Sequence, residues 1–368
     1  MTTPALDLAI DIGPLYGHRT GVGVAVDGLV TSLRERDDVR LSPYLVSFRS
    51  SADAGHRKLP VPGNVASHVW SRADRPSADR WLGPVDVVHG TNYVAPPTAH
   101  PTVISVYDCW FLEHPDGASP LVRRAGQTLR RRVADGAWIH TSSEATARRA
   151  RSLLDTDRVV SIHLGPPPRS DAAPTSTPEG LEPLAGPAFV LAIGTEERRK
   201  DLPTLVVAFG RLAADRPAIR LALAGAQGDQ SSEVDTAIAA LPDDARRRVH
   251  RLGPVDDATK AWLLRHASVL AYPSLDEGFG FPILEAQAAG TPVVASDVGS
   301  VGEVAGAGAV LVDGRTPERF AEQLAAVVDG TTSRLMLISA GHENLARFSW
   351  AATADALVAL YRRAVHER

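Results

Sequence analysis

The apolar residues of this chain fall into short runs that alternate with longer amphipathic stretches, and the alternation occurs twice. Short apolar runs are typical of strands buried on both faces of a parallel sheet, while a period near 3.6 residues indicates helices. In the first half the predicted strands are residues 6–12, 41–48, 85–89, 102–106, 138–141 and 159–164. The helices predicted between them are residues 21–35, 120–135 and 143–154.

A second series follows residues 165–178, a proline- and serine-rich stretch that is incompatible with a sheet. Its predicted strands are residues 189–193, 219–224, 249–252, 268–272, 292–296 and 309–312. Its predicted helices are residues 201–215, 232–241, 256–266, 282–289 and 317–329. A last helix, 351–366, has no strand after it and is expected to pack back on the first domain.

Strand–helix alternation predicts an α/β protein with doubly wound parallel sheets. The predicted layout is a domain over 1–165, a linker over 166–188, a second domain over 189–350 and a closing helix over 351–368. Ligands of such sheets bind beyond the carboxyl ends of the strands, so the chemistry is expected in a cleft between two facing domains.

Composition narrows the class of protein. With 368 residues, 44% of them hydrophobic and 22% charged, the chain suits two globular domains. A net charge of −4 argues against a nucleic-acid partner. The single cysteine, Cys109, excludes an intramolecular disulfide or a cysteine metal cluster and is interpreted as a small buried hydrophobe. We expect a cytoplasmic location, because no apolar run is long enough for a membrane span or a signal peptide.

The most informative segment is residues 277–285, in which Glu277 and Glu285 flank a glycine turn and a helix start. An apolar strand precedes the segment, Pro282 suits a first helical turn, and Gly290 suits a helix end. Free amides and the helix dipole at such a turn favour an anion, whereas carboxylates bind hydroxyl groups. A sugar phosphate offers both kinds of group.

Two further glycine turns follow predicted strands. Residues 13–23 could bring backbone amides to a phosphate but lack the dinucleotide-binding fingerprint; an ordinary turn is the alternative. In residues 194–202, Arg199 and Lys200 stand at a helix start, where the dipole disfavours cations. They are predicted to face a diphosphate, with a solvated charged loop as the alternative.

These segments together resemble the retaining glycosyltransferases of family 4, also called glycosyl transferases group 1, which have the GT-B fold of two facing Rossmann-like domains. The resemblance runs nearly end to end. It is carried by residues 11–14, 20–23, 86–89, 142–144, 193–202, 273–296 and 348–350.

The resemblance implies transfer of a hexosyl group from a nucleotide-diphosphate sugar, GDP-mannose-like donors included, to a glycan, lipid-linked or small-molecule acceptor. Glu277 would bind hydroxyls of the donor sugar, and Arg199 and Lys200 would neutralise the leaving diphosphate, so that no metal or other cofactor is required. Glu285 would bind the ribose. The implied donor-binding residues are Gly21, Val22, Gly23, Gly194, Thr195, Val255, Gly278, Phe279, Gly280 and Glu285.

One position departs from the family. Where relatives commonly have a His-Asp pair, this chain has Tyr107 and Asp108, and we include both with Glu277, Arg199 and Lys200 as catalytic residues. Tyr107 can form a hydrogen bond through its hydroxyl but is a poor base at neutral pH. A catalytically silent relative that acts as a partner or regulator in polysaccharide assembly is therefore an alternative, and a GT-B epimerase or phosphorylase is another.

Other polar residues have simpler interpretations. His89 and His163 are interpreted as structural, and Asp256 and Asp257 as a helix N-cap rather than a metal pair. One predicted helix is rich in arginine and could contact anionic lipid at the inner membrane face, with a solvated helix face as the alternative. The arginines concerned are Arg123, Arg124, Arg130, Arg131 and Arg132.

Overall fold

The computed structural model describes residues 4–16, 20–46, 56–167, 174 and 176–367. The chain divides into two compact units. Unit one comprises Met1–Gly165 and Phe348–Arg368, and unit two comprises Pro166–Arg347. Residues 168–173 and 175 of the predicted linker lie outside the described residues, as do residues 47 and 48 of the second predicted strand and 17–19 of the first glycine turn.

Unit one contains a parallel sheet that, in its described part, has seven strands in the order β3-β2-β1-β4-β5-β6-β7. The strands are β1 (Leu6–Asp11), β2 (Val39–Val46), β3 (Arg57–Leu59), β4 (Val87–Gly90), β5 (Thr102–Val106), β6 (Trp138–Thr141) and β7 (Val159–Ser161). The helices are α1 (Gly21–Arg34), α2 (Gly63–Trp70), α3 (Asp79–Leu82), α4 (Trp110–Glu113), α5 (Pro120–Ala134) and α6 (Glu144–Leu154). All predicted elements of this half are confirmed, whereas β3 and α2 to α4 were not predicted.

Unit two contains a second parallel sheet, with six strands among the described residues in the order β10-β9-β8-β11-β12-β13. The strands are β8 (Phe189–Ile193), β9 (Arg220–Ala224), β10 (Val249–Gly253), β11 (Val269–Tyr272), β12 (Val293–Ser296) and β13 (Ala309–Val312). The helices are α7 (Leu202–Ala214), α8 (Ser231–Ala239), α9 (Asp243–Arg246), α10 (Asp257–His266), α11 (Phe281–Ala289), α12 (Val301–Ala305), α13 (Pro317–Val328) and α14 (Arg334–Leu345). Here α9, α12 and α14 were not predicted.

The second sheet is buried on both faces. Along β8, Val190 and Ala192 belong to the core on one face, while Phe189 and Leu191 belong to the core on the other. Helices cover both cores, as expected for successive side chains that point to opposite faces of a strand. This confirms the doubly wound architecture predicted from uninterrupted apolar strands.

The last helix, α15 (Trp350–His366), belongs to unit one. Ser349 caps it by accepting a hydrogen bond from the Ala352 N–H, 3.1 Å away. The Trp350 ring fills the space beside two glycines: a Cβ at Gly28 would lie 2.2 Å from the ring, and one at Gly165 would lie 2.4 Å from it. Both positions therefore need glycine.

Two smaller predictions are also confirmed. Cys109 is a fully buried cysteine, and Asp256 caps α10 by accepting a hydrogen bond from the Thr259 N–H at 2.7 Å. Among the described helices, none combines the length and the apolar character that crossing a bilayer requires.

Candidate active site

The candidate site of unit two lies at the carboxyl ends of two adjacent strands. β8 and β11 pair in parallel, although α7, β9 and β10 lie between them in the chain. They mark the point at which the strand order reverses, where the loops of a doubly wound sheet diverge and leave a crevice for a ligand. The Leu275 N–H donates to the Arg199 carbonyl over 2.7 Å and joins the two loops.

Glu277 is the centre of this site. Its side chain is only 6% exposed, and Arg199 Nη1 donates to its Oε2 over 2.8 Å. Its Oε1 forms an ion pair with Lys200 and accepts a hydrogen bond from Ser274 Oγ at 2.9 Å. Burial alone would raise the pKa of Glu277, but the charges of Arg199 and Lys200 outweigh it and lower that pKa to about 2. The carboxylate is therefore ionised at any physiological pH.

The two cations are also held in place by other groups. Lys200 Nζ donates to the hydroxyl of Tyr272 over 2.9 Å and lies 4.6 Å from the centre of its ring. Arg199 Nε lies 3.1 Å from Glu197 Oε2. Glu197 and Glu277, together with the Tyr272 ring, thus stabilise two neighbouring positive charges that would otherwise repel each other.

The turn after Glu277 has a fixed backbone shape. Gly280 caps α11 with φ of 100°, in the left-handed region that favours glycine. The Ser300 hydroxyl lies 3.0 Å from the Glu277 carbonyl and 3.2 Å from the Phe279 carbonyl. At Gly299, with φ of 52°, a Cβ would lie 2.5 Å from the Glu277 carbonyl. Residues 299 and 300 therefore support the turn that contains Gly278, Phe279 and Gly280.

The turn after β8 is held by a buried ion cluster. Glu196, 2% exposed, accepts from Arg251 Nε over 2.6 Å and from Ser231 Oγ over 2.6 Å. This fixes the backbone that follows Gly194 and Thr195, and Gly194 has φ of 141°. Val255 is farther away, half-buried in the loop after β10 at the edge of the sheet.

Glu285 lies one helical turn beyond the start of α11. Its Oε1 accepts from Lys260 Nζ of α10 over 2.9 Å, and it is half-buried. Among the described residues, Glu277 and Glu285 each pair with a lysine, and Glu277 pairs with an arginine as well.

In unit one, the predicted phosphate-binding turn forms the start of α1. Gly21, Val22 and Gly23 make its first helical residues, and the Thr20 side chain accepts from the Gly23 N–H at 3.5 Å. Gly21 is exposed and Gly23 is buried.

Tyr107 and Asp108 follow β5 but point to different surroundings. Asp108 accepts from the Tyr93 hydroxyl over 2.9 Å and from the Trp110 N–H over 3.1 Å. Tyr107 is 8% exposed, its ring lies edge-on to His140, and its hydroxyl has no hydrogen-bond partner among the described residues. Burial raises the pKa of Tyr107 above its ordinary value. As placed, its hydroxyl is directed into the core of unit one rather than toward solvent.

Of the two histidines interpreted as structural, His89 is confirmed as a core residue, whereas the role of His163 stays a prediction. His89 is fully buried between Ser105 Oγ, 2.8 Å from its Nε2, and the Tyr361 hydroxyl, 2.7 Å from its Nδ1. His163 packs against the Phe348 ring at 5.3 Å. Sequence reasoning missed His140, which is buried and lies 2.8 Å from Ser105 through Nδ1.

The possible lipid contact of the arginine-rich helix is contradicted for one of its five arginines, Arg132, and stays a prediction for the others. Arg132 is 4% exposed and binds Asp74 and Asp135. Arg131 also binds Asp74, at 2.7 Å. Asp74 belongs to a different segment of the chain, so the sequence of the helix alone does not reveal these ion pairs. Arg123 and Arg130 remain exposed.

Sequence reasoning also missed several supporting side chains of the candidate site. These are Tyr272, Ser274, Ser300, Lys260 and the Glu196–Arg251 pair. Tyr272 and Ser274 lie directly beside the glycine-turn segment and could have been found by position. The described part of the chain brings no three His, Cys, Asp or Glu side chains together as a metal site would need.

The family model described as Glycosyl transferases group 1 matches residues 178–344. A relative named D-inositol 3-phosphate glycosyltransferase, from Mycolicibacterium paratuberculosis, is 30% identical over 95% of this chain and 78% of its own length. The Mycobacterium bovis protein of the same name is 31% identical over 95% of this chain and 72% of its own length.

Among solved structures, the fold is similar to an alpha,alpha-trehalose-phosphate synthase (UDP-forming) from Burkholderia vietnamiensis. The TM-score is 0.75 at 12% identity, covering 99% of this chain and 98% of that one. It is also similar to Anabaena HepE in complex with UDP and glucose, with a TM-score of 0.68 at 16% identity over 96% and 98% of the two chains.

Proposed function

The chain belongs to the glycosyl transferases group 1 family and has the GT-B fold, and we propose that it transfers a hexosyl group from a nucleoside diphosphate sugar with retention of the anomeric configuration. The observation that carries this proposal is the ionised Glu277 fixed between Arg199 and Lys200 at the switch point of the sheet. In such a site, a carboxylate can accept hydrogen bonds from sugar hydroxyls, and the two cations beside it can bind a diphosphate.

Each charge in this site has a role in the proposed reaction. As the bond from the anomeric carbon to the diphosphate oxygen breaks, negative charge grows on the leaving phosphate and positive charge on the sugar ring. Arg199 and Lys200 neutralise the phosphate, together with the amides at the start of α11. Glu277 accepts hydrogen bonds from sugar hydroxyls, and the leaving phosphate oxygen takes the proton of the acceptor hydroxyl. Two fixed cations thus supply the charge that a metal ion would otherwise provide.

The nucleotide is proposed to lie beside the same loops. Glu285 binds the ribose, and Gly194 and Thr195 contact the phosphates. Val255 contacts the base. In unit one, residues 21–23 form a helix start of the kind that binds phosphate, and Asp108 follows β5 at its carboxyl end.

The acceptor is proposed to be a hydroxylated molecule, either a glycan, a lipid-linked sugar or a small molecule. The name of the relatives, D-inositol 3-phosphate glycosyltransferase, favours testing a polyol phosphate first. A cytoplasmic enzyme that meets lipid-linked acceptors would use Arg123 and Arg130, which are exposed and lie seven residues apart on one face of α5.

A thermal-shift panel of UDP-, GDP-, ADP- and dTDP-sugars identifies the donor, since a ligand that binds only the folded state raises the unfolding midpoint. The identified donor should then be hydrolysed slowly by the wild type, and Glu277→Ala and Lys200→Ala should abolish this. Binding of none of the nucleotides by folded protein would exclude the function. NMR of a transfer product tests retention, and turnover in excess EDTA tests metal independence.

The silent-relative alternative predicts a different result in the same assays. Donor binding without hydrolysis, and without transfer to any acceptor offered, would favour that alternative. A Tyr107→His variant distinguishes the cause, because restored turnover would assign the silence to this position.

A further inference from the structure

Lys260 and Glu285 form an ion pair across two helices of unit two. Lys260 is on α10 and Glu285 is on α11, and Lys260 Nζ lies 2.9 Å from Glu285 Oε1. Lys260 also lies 3.4 Å from Asp257 Oδ1 on its own helix. The Glu285 side chain is 14% exposed and that of Lys260 is 26% exposed, whereas Asp257 is 74% exposed. The pair between helices is therefore the more sheltered of the two.

Lys260 contacts one oxygen of the Glu285 carboxylate, Oε1, and leaves Oε2 available to a ligand. Among the described residues, Lys260 is the hydrogen-bond partner found for Glu285, and it contacts Oε1. A lysine ammonium is a compact point charge, whereas an arginine guanidinium is a fork that tends to engage both oxygens of a carboxylate. Oε2 is thus left as an acceptor, and its orientation is set by the bond that Oε1 makes.

The ion pair also changes the charge that a bound nucleotide meets. A carboxylate close to a bound diphosphate repels it, and in a half-buried position the repulsion is weakly screened. Lys260 offsets the charge of Glu285. The proximity of Glu285 raises the pKa of Lys260 despite its burial, which works in the opposite direction, so the ammonium stays charged at neutral pH.

We propose that Lys260 is a positioning residue for the nucleotide: it holds Glu285 so that the free oxygen accepts hydrogen bonds from the ribose hydroxyls. The inference rests on the proposed function, in which Glu285 binds the ribose. It assigns a part in donor recognition to α10, an element that contains neither the glycine turns nor the cations Arg199 and Lys200.

The test compares nucleotides with and without ribose hydroxyls. Dissociation constants of UDP, 2′,3′-dideoxy-UDP, GDP and 2′,3′-dideoxy-GDP are measured by calorimetry for the wild type, Lys260→Met, Glu285→Gln and Asp257→Asn. For the base that binds, we expect the wild type to prefer the ribonucleotide about 10-fold or more, as hydrogen bonds to a charged group allow. Glu285→Gln and Lys260→Met should each lose most of this preference, and Asp257→Asn, the control, should keep it.

A merely structural ion pair gives a different pattern. Lys260→Met would then lower the unfolding midpoint, or weaken both nucleotides equally, while the ribose preference stayed at the wild-type value; that result would overturn the inference. If Lys260→Met does not fold, Lys260→Gln replaces it. In a double variant, Lys260→Met should have no further effect on the preference once Glu285 is Gln. Wild-type protein that binds the nucleotides without ribose preference refutes this inference and the ribose contact of Glu285 but leaves the proposed hexosyl transfer standing, whereas failure to bind any of them refutes the proposed function as a whole.

Discussion

At the scale of single residues, Glu277 shows how a buried acid can be kept ionised. Its burial would favour the protonated form, and two adjacent cations reverse this, so that the pKa falls from 4.5 to about 2. The same contacts are therefore linked to stability. Below pH 4.5 the Glu277 carboxylate becomes protonated in the unfolded chain but stays ionised in the folded protein until the pH approaches 2.

This linkage gives a prediction for Glu277→Gln. The shift of the pKa corresponds to about 3 kcal/mol of unfolding free energy for the ionised form. Wild type should therefore be more stable than Glu277→Gln at pH 7, and the difference should shrink as the pH falls from 4.5 toward 2. Calorimetric unfolding midpoints of both proteins across this range measure it. A difference that does not depend on pH would show that the carboxylate charge is not the cause.

The sequence predicted these residues unevenly, for a physical reason. Arg199, Lys200 and Glu277 belong to loops that follow adjacent strands, and the rule for doubly wound sheets places such loops together. The contact of Lys260 with Glu285 depends instead on how two helices pack, which no local pattern specifies. The orientation of Tyr107 depends on a side-chain rotation that the sequence does not reveal.

At the scale of elements, a strand such as β8 was predictable because both of its faces are apolar. β3, which reads Arg57-Lys58-Leu59, has no apolar run, and α9 is a single turn of charged residues. Helix α14 exposes Leu335 and Met336 at its start, so its apolar residues do not follow one face. Short or irregular elements form because their neighbours hold them, and such support cannot be predicted from the segment alone.

The support of the glycine turn by Gly299 can be tested with a matched pair of substitutions. Gly299→Ala and Gly330→Ala both place a Cβ at a positive φ, but a Cβ at Gly330 has no atom within 4 Å, while one at Gly299 meets the Glu277 carbonyl. Both should lose stability, by about 1 kcal/mol for the backbone strain. Only Gly299→Ala should also lower donor hydrolysis, by 10-fold or more. Equal hydrolysis by the two variants would contradict the role given to residues 299 and 300.

A second pair tests the packing of α15 on α1. Gly28→Ala drives a methyl group into the Trp350 ring and should destabilise unit one by about 1–3 kcal/mol. Gly63→Ala, at the start of α2 where nothing lies within 4 Å, is the control and should be close to neutral. Thermal unfolding of the two variants measures the difference. Adding Trp350→Leu to Gly28→Ala should recover part of the loss.

At the scale of the whole molecule, the two units should respond to acid in different pH ranges. In unit one, burial lowers the pKa of His140 from 6.5 to about 4 and that of His89 well below 6.5, so unfolding takes up protons as the pH falls below 6.5. Burial raises the pKa of Asp11 from 3.8 to about 6, which works in the opposite direction but involves one group against two. In unit two, burial lowers the pKa of His250 but raises that of Asp201, and these two changes oppose each other, so the larger loss of stability is expected below pH 4.5, through Glu277.

Calorimetric scans between pH 7 and pH 4.5 therefore should show the transition of unit one moving to lower temperature while that of unit two stays nearly constant. The difference in fluorescence between the wild type and Trp262→Phe, which removes the tryptophan within residues 166–347, assigns the transition of unit two. Equal movement of both transitions would contradict the assignment of acid sensitivity to the buried histidines.

The contact of Trp350 with Gly165 has a consequence for how the chain could be recombined. The chain leaves unit one after Gly165 and returns at Phe348, two residues before Trp350. The two points at which the chain passes between the units, after residue 165 and before residue 348, therefore both lie close to the Trp350 indole ring. A hybrid that keeps residues 1–165 and 348–368 and takes the intervening segment from a relative would leave this closure intact. If the proposed function holds, donor preference should then follow the exchanged segment between family members, at two fixed junctions.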